Sequence, residues 1–396
     1  MPAGESLDWQ EQLSRSLLSN EWPDEFNSII NKLSIGEELS REDGHFLFNS
    51  KDLDTIGRIA NLVKFARFDN SAFFNVNVHI NQTNICTLAC KFCAFRRGRR
   101  AVDAYSMDIE EYVTDLRNYA SHVDEVHSVG GLHPDWDILH YEALFARVKQ
   151  EFPEIHIKAL TAVEIKHISK LSGISIRSTL ERLQSAGLGS LPGGGAEILD
   201  DDVRAIICRG KESSSEYLEI HQTAHELGIP TNCTMLFGTV ETIDQRITHL
   251  LRLRELQNTT GGFQCFVPYP FLPDDSRLPQ AQLASGTEIL RMIAISRLML
   301  DNIPHIKAYR MNIGDEIAEL ALQFGADDID GTVQKESIMH LAGSKAPLDH
   351  DKEKLAKIVI NSGSKPVQRN TTYTRFEEYI LPKAPARRHL RMAAGE

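Results

Sequence analysis

The sequence predicts an α/β fold: a closed (β/α)8 barrel of the TIM type, with a helical extension before it and a tail after it. Two observations carry this. Eight short β-rich runs alternate with amphipathic stretches at helical spacing, the order of a parallel sheet and its crossover helices. Polar and glycine-rich residues fall just after those runs, where the βα loops of a barrel build active sites. An open doubly wound sheet is the other arrangement that the alternation allows.

Residues 1–70 read as helices, because "DWQEQLSRSLL" and "DTIGRIANLVKFARF" place apolar residues at helical spacing. The β-rich runs then fall at 72–80, 125–131, 156–160, 188–195, 229–238, 263–271, 305–310 and 325–333. Stretches such as "MDIEEYVTDLRNYASHV" and "ETIDQRITHLLRLREL" separate them. Ser213 and Glu216 predict a capping box, and Gly187, Gly228 and Gly325 predict helix ends. The barrel is expected over 71–344. Residues 345–396 read as an irregular tail packed on it, disordered at its end.

The 396 residues are 42% hydrophobic and 25% charged, enough for a large core. The net charge is −12 and no extended polybasic stretch appears, so no nucleic-acid partner is expected. The densest basic run, "FRRGRR" at Phe95–Arg100, reads either as a solvated loop or as part of the site it adjoins. "MPAGESLDWQ" lacks a basic stretch followed by an apolar one. No window approaches the roughly 20 apolar residues that span a bilayer. The expectation is a cytoplasmic protein with no membrane partner, in whose reducing compartment clustered cysteines bind metal rather than pair.

Three of the six cysteines, Cys86, Cys90 and Cys93, share the first βα loop at C-x3-C-x2-C spacing. Cys208, Cys233 and Cys265 are scattered among apolar residues and read as buried and inert. Three thiolates with His79 would close a zinc site, giving a zinc-stabilised protein without redox chemistry. Alternatively they hold a cubane iron–sulfur cluster with one iron left open for a small molecule. A simple electron carrier would close that iron with a fourth protein ligand, and no fourth cysteine lies near.

The cysteine spacing, with Phe92 before the last cysteine, resembles the signature of the radical S-adenosylmethionine (SAM) superfamily. The segments "NVHINQTNICTLACKFCAFRRG", "EVHSVGGLHPDW", "SLPGGGAEIL", "IPTNCTMLFGTVET" and "TGGFQCFVP" together look like the aminofutalosine synthase family of the futalosine route to menaquinone. The likeness runs from about residue 50 to 375. It implies a [4Fe–4S] cluster on Cys86, Cys90 and Cys93, with SAM on the open iron, consumed as co-substrate. It implies cofactor contact from Phe92, Gly130 and Gly131, and from Gly193, Gly194 and Gly195, where Glu197 reaches a ribose hydroxyl. The implied reaction adds the 5′-deoxyadenosyl radical to 3-[(1-carboxyvinyl)oxy]benzoate, with rearrangement and loss of a carboxylate. The products are 6-amino-6-deoxyfutalosine, methionine and bicarbonate, and the implied electron donor is a flavodoxin or ferredoxin. The sister cyclic dehypoxanthinylfutalosine synthases and the deazaflavin-forming synthases share the cysteine loop and "PGGGAE". One departure is Thr239, where relatives usually carry His.

A substrate with two carboxylates needs charged or hydrogen-bonding partners. His127, His133, Arg310 and Arg369 are the candidates on the βα side, and Arg310 is expected to close a strand and face the barrel mouth. Glu164 and Glu241 are expected to orient ligand hydroxyls or those basic groups. Asp327, Asp328 and Asp330 read as loop residues.

Overall fold

The computed structural model describes residues 4–272, 277–281 and 283–382. Four helices come first: α1 (Trp9–Leu18), α2 (Asn27–Ser34), α3 (Arg41–Asn49) and α4 (Leu53–Phe68). The alternation follows as predicted: β1 (Ser71–Asn75), β2 (Asn77–His79), α5 (Ile109–Arg117), β3 (Glu125–Ser128), α6 (Ile138–Glu151) and β4 (His156–Ala159). It continues with α7 (Ala162–Ser172), α8 (Ile176–Ala186), β5 (Leu188–Ser190), α9 (Asp201–Ile207), α10 (Ser214–Glu226), β6 (Thr231–Phe237) and α11 (Ile243–Thr260). Then come β7 (Phe263–Pro270), α12 (Gly286–Met299), β8 (His305–Ile306), α13 (Arg310–Ala321) and β9 (Asp328–Gly331). The predicted capping box forms: the Ser213 amide donates to Glu216 Oε2 at 2.7 Å. The predicted helix end at Gly187 caps α8.

The strands close into a ring. β2 to β5 pair in parallel order, as do β6 to β8. A Leu191–Thr231 bridge joins β5 to β6, a Lys307–Asp328 bridge joins β8 to β9, and β9 pairs with β1. β1 and β2 act as one stave, interrupted at Val76. The open-sheet alternative is thereby set aside. Among the described residues no helix is long and apolar enough to cross a membrane.

The tail departs from expectation. After α14 (Ile338–Leu341) it forms α15 (Lys352–Asn361), β10 (Lys365–Arg369) and β11 (Phe376–Glu378). β10 lies parallel to β1, from Ser71 opposite Lys365 to Phe74 opposite Gln368, and β11 runs antiparallel to β10. The reason is the broken first stave. Of the two halves of that stave β3 pairs only with β2, so one edge of β1 is left for another strand. A barrel boundary at 344 therefore omits a strand of its sheet. The end of the tail, residues 383–396, lies outside the described residues.

Charged side chains fill much of the barrel interior. Glu125 accepts from the amides of Asn75 and Asn77, at 3.1 and 3.3 Å, and faces Lys158 Nζ at 3.8 Å. Lys307 Nζ donates to Asp330 at 2.5 Å. Arg369 Nε and the Tyr373 hydroxyl donate to Asp328 at 2.6 and 2.8 Å. All are buried. Asp328 and Asp330 are thus strand residues in ion pairs rather than loop residues, and Asp327 holds Arg297 and His305. Arg369, a candidate for the substrate carboxylates, is committed to Asp328 and carries the tail strand onto the sheet.

Arg369→Ala leaves the buried Asp328 carboxylate with only one, longer cation contact, to Lys307 Nζ at 3.9 Å. Breaking such a pair costs about 3–5 kcal/mol. Urea unfolding is expected to show a loss of that size. A variant as stable as the parent would remove the pair from the account of the fold.

Candidate active site

The cysteine loop begins where β2 ends, and its own side chains and backbone hold it. The Cys86 amide donates to the Arg97 carbonyl at 3.0 Å, and the Arg97 amide to the Asn84 carbonyl at 2.7 Å. Arg97 Nη1 also donates to the Ala94 carbonyl at 2.7 Å, so part of the basic run stitches the loop. The Lys91 amide donates to Ile207 at 2.7 Å. Arg277 Nη2 donates to the Ala89 and Cys90 carbonyls at 2.9 and 3.0 Å. Cys90 is buried, while Cys86 and Cys93 are partly exposed. Burial pushes the Cys90 thiol up to about 12, against the pull of Lys211, and raises Cys93 as well. Such thiols become thiolates when a metal brings the positive charge.

A cavity of about 280 Å³ opens at the C-terminal ends of the strands. Its wall includes eight of the residues expected from sequence. Phe92 and Cys93 come from the cysteine loop, His127 and Gly130 from β3 and its loop, Glu164 from α7, and Gly194, Gly195 and Glu197 from the loop after β5. Lys211, Thr234, Tyr269 and Asn312 add polar groups that sequence reasoning did not single out. Phe271, Leu272, Ile338 and Met339 form an apolar side.

Lys211 is the lysine of this wall. It pairs with Glu197 and lies over the Phe92 ring, 5.6 Å from its centroid. Burial opposes its charge, but Glu197 and Glu212 hold its pKa above the usual lysine range. Nothing local marks it in "RGKESSS"; Glu197, its partner, lies on another loop.

The glycines divide into two kinds. A Cβ on Gly131 would lie 2.3 Å from the Ile85 carbonyl oxygen, and one on Gly193 2.2 Å from that of Asn232. These two let protein backbones meet, and neither lines the cavity. The Gly131 contact holds the cysteine loop itself. Gly194 and Gly195 do line the cavity, and φ of +103° at Gly195 calls for glycine.

The expected carboxylates and bases separate likewise. Glu164 is buried, accepting from the amides of Thr161 at 2.7 Å and Gly130 at 3.1 Å, and burial lifts it to about 7. It ties two loops together from the cavity wall. His127 forms part of the floor. Burial, then the neighbouring His79, hold its pKa well below the usual histidine range, which favours the neutral imidazole. Its ring centroid is 4.3 Å from that of His79, which is buried beneath.

The other candidates lie off the cavity wall. Glu241 accepts from the Gly238 and Thr239 amides at 2.6 and 2.8 Å and pairs with Arg246. It fixes its own loop. His133 stacks on Trp136 with centroids 4.4 Å apart. Arg310 does not end a strand: β8 stops at Ile306 and Arg310 begins α13. Its guanidinium is buried, donating to the carbonyls of Pro347 at 3.0 Å and Thr332 at 3.3 Å.

The donor set fits a cubane cluster. The donors are three sulfurs on one loop, with Cys93 reaching the cavity where a further ligand would enter. Among the described residues no three His, Cys, Asp or Glu side chains gather closely enough to hold one metal ion. Each thiolate of a cubane takes a separate iron, so such gathering is not required.

Gly131→Ala is expected to push the cysteine loop away from its seat. Iron and sulfide bound after anaerobic reconstitution should fall severalfold. Full occupancy in that variant would show that the backbone contact is dispensable.

Comparison with known proteins agrees with this geometry. The radical SAM superfamily profile matches residues 80–253, and the CofH/MqnC C-terminal region matches residues 260–381. The aminodeoxyfutalosine synthase of Thermus thermophilus is 42% identical over 350 residues, covering 87% of this chain and 94% of its own. The cyclic dehypoxanthine futalosine synthase of Streptomyces coelicolor is 35% identical, covering 90% of each. Among solved structures, methylornithine synthase (PylB) superposes with a TM-score of 0.69 at 20% identity. That match covers 85% of this chain and 96% of PylB and supports the fold. The chain belongs to the radical SAM superfamily, in the branch that carries the CofH/MqnC C-terminal region.

Proposed function

We propose that this chain is an aminodeoxyfutalosine synthase of menaquinone biosynthesis. It joins the 5′-deoxyadenosyl part of SAM to 3-[(1-carboxyvinyl)oxy]benzoate, with rearrangement and loss of a carboxylate. The observation that carries the reading is the 42% identity to the Thermus enzyme over nearly both full lengths, against 35% to the sister synthase. Thr239 does not oppose it. Its hydroxyl donates to Glu241 at 2.7 Å, and it does not line the cavity.

In this reading Cys86, Cys90 and Cys93 hold a [4Fe–4S] cluster. With SAM bound, that cluster would supply the electron that cleaves SAM into methionine and the 5′-deoxyadenosyl radical. Lys211, beside Cys93 on the same wall, receives a carboxylate of SAM. Glu197 accepts from a ribose hydroxyl, and Gly194 and Gly195 let the cofactor approach the backbone. His127, Tyr269 and Asn312 meet the second substrate with neutral hydrogen-bonding groups. Phe271, Leu272, Ile338 and Met339 pack on its ring and exclude water. The external electron comes from a flavodoxin- or ferredoxin-type carrier.

Cys86→Ala, Cys90→Ala and Cys93→Ala are each expected to abolish cluster retention, while Cys208→Ala keeps it; iron and sulfide analysis checks this. Lys211→Met should weaken SAM binding while the cluster remains. Truncating one partner of a buried charge pair costs about 2–5 kcal/mol, so the dissociation constant should rise roughly 30-fold or more. Equilibrium dialysis reads it. Arg310→Ala should leave the affinity for the benzoate substrate near that of the parent. With SAM labelled in its adenosine, the label is expected in the product in a one-to-one ratio with methionine. Free 5′-deoxyadenosine as the main adenosyl product would assign the chain to the sister synthases instead.

A further inference from the structure

The chain carries a net charge of −12, yet its cysteine loop is strongly basic. Between Cys86 and Asp103 stand Lys91, Arg96, Arg97, Arg99 and Arg100 against one acid, Asp103. Folding brings further cations to the same place. The Lys91 amide bonds to Ile207, and Gly210 packs on Leu88, which sets Arg209 beside the loop. Arg277 holds the carbonyls of Ala89 and Cys90. Arg97 and Arg99 are paired, with Asp103 and Asp135. Among the described residues, Lys91, Arg96, Arg100, Arg209 and Arg277 form no ion pair. Asp274 and Asp275, just before Arg277 in sequence, lie outside the described residues. Lys91, Arg100, Arg209 and Arg277 are exposed, and Arg96 partly so. Phe92 and Cys93 line the cavity on the inner side of this loop.

Unpaired cations repel one another, and gathering them on an acidic protein costs stability unless a partner offsets it. We propose that this face, formed by Lys91, Arg96, Arg100, Arg209 and Arg277, docks an acidic one-electron carrier protein over the cysteine loop. The proposal rests on the reading that the three cysteines hold an iron–sulfur cluster. In the step it serves, one electron leaves the carrier's reduced cofactor and one enters the oxidised cluster; no bond is made or broken in either protein. The carrier, rather than the dianionic substrate, is favoured because the exposed cations stand on the outer side of the loop. The cavity has its own cation in Lys211. Attraction between opposite patches of this kind raises association rates by about 10- to 1,000-fold at low salt. It fades as the Debye length shortens with added salt.

The test uses the reconstituted holoenzyme, with reduced flavodoxin as the acidic carrier and dithionite as a small reductant. Bleaching of the cluster's visible absorption reads electron arrival without any product being formed. In Arg100→Glu/Arg209→Glu, the second-order rate with flavodoxin should fall roughly tenfold or more, and its salt dependence should flatten. Reduction by dithionite, and product formation driven by dithionite, should match the parent. Arg100→Gln/Arg209→Gln should fall between. A double charge-reversal variant that accepts electrons from flavodoxin at the parental rate, with parental salt dependence, would overturn the docking face. So would a raised substrate KM under dithionite, which would assign the patch to steering the substrate. Salt-sensitive reduction by flavodoxin in an enzyme that makes a different product would uphold the docking face and count against the synthase reading alone.

Discussion

An ion buried inside a protein must be cancelled by another, and the interior of this barrel sets three anions against three cations. Glu125 faces Lys158, Asp330 takes Lys307, and Asp328 takes Arg369. The desolvation of each ion is large, so the pairs must all form together for the barrel to close around them. These three pairs balance one another's charge, and burial favours the neutral form of the imidazole above them. His127 sits over this layer with Glu125 at 3.9 Å and Lys158 opposite in register, and their opposing fields leave burial and the neighbouring His79 to decide its state. The floor of the active site is therefore polar, while Lys211, paired with Glu197, stands on the wall that also carries Cys93.

Much of this architecture was legible in the sequence. The eight strands are short runs buried on both faces, and parallel strands of that kind stand out against amphipathic helices. The cysteine spacing needed no structure, because the chemistry of the loop is written in adjacent residues. The misreadings share a cause. "HIKAYR" looks like one continuous strand, but pairing ends at Ile306 and Arg310 enters a helix, which turns its guanidinium to Pro347 and Thr332. β10, "KPVQR", is short and half polar, and only the free edge of β1 makes it a strand. Lys211 gains meaning from Glu197 and Phe92 on other loops. In each case the deciding partner is distant along the chain.

The glycine pairs teach the same lesson at smaller scale. "VGG" and "PGGG" both predict close approach, and close approach is found at each, yet the approaching group differs. Gly131 and Gly193 admit protein backbone, while Gly194 and Gly195 line the cavity beside the side chains of Thr161 and Glu212. Sequence shows that something comes near a glycine; what comes near is settled by segments distant along the chain, Ile85 for Gly131 and Asn232 for Gly193. Gly131 therefore acts on the metal site indirectly, by seating the loop that carries the cysteines.

The seating of β10 against β1 has a consequence for how the molecule is made. Ser71 pairs with Lys365, so the first strand to leave the ribosome waits for nearly the whole chain before its second neighbour exists. Until then its open edge is exposed to any other extended segment, and the Asp328 carboxylate has no guanidinium to meet. Contacts of such long range are slow to form. A nascent chain that stalls before Arg369 is thus incomplete in its interior charge as well as its length: β1 keeps an open edge, and Asp328 lacks its closest cation.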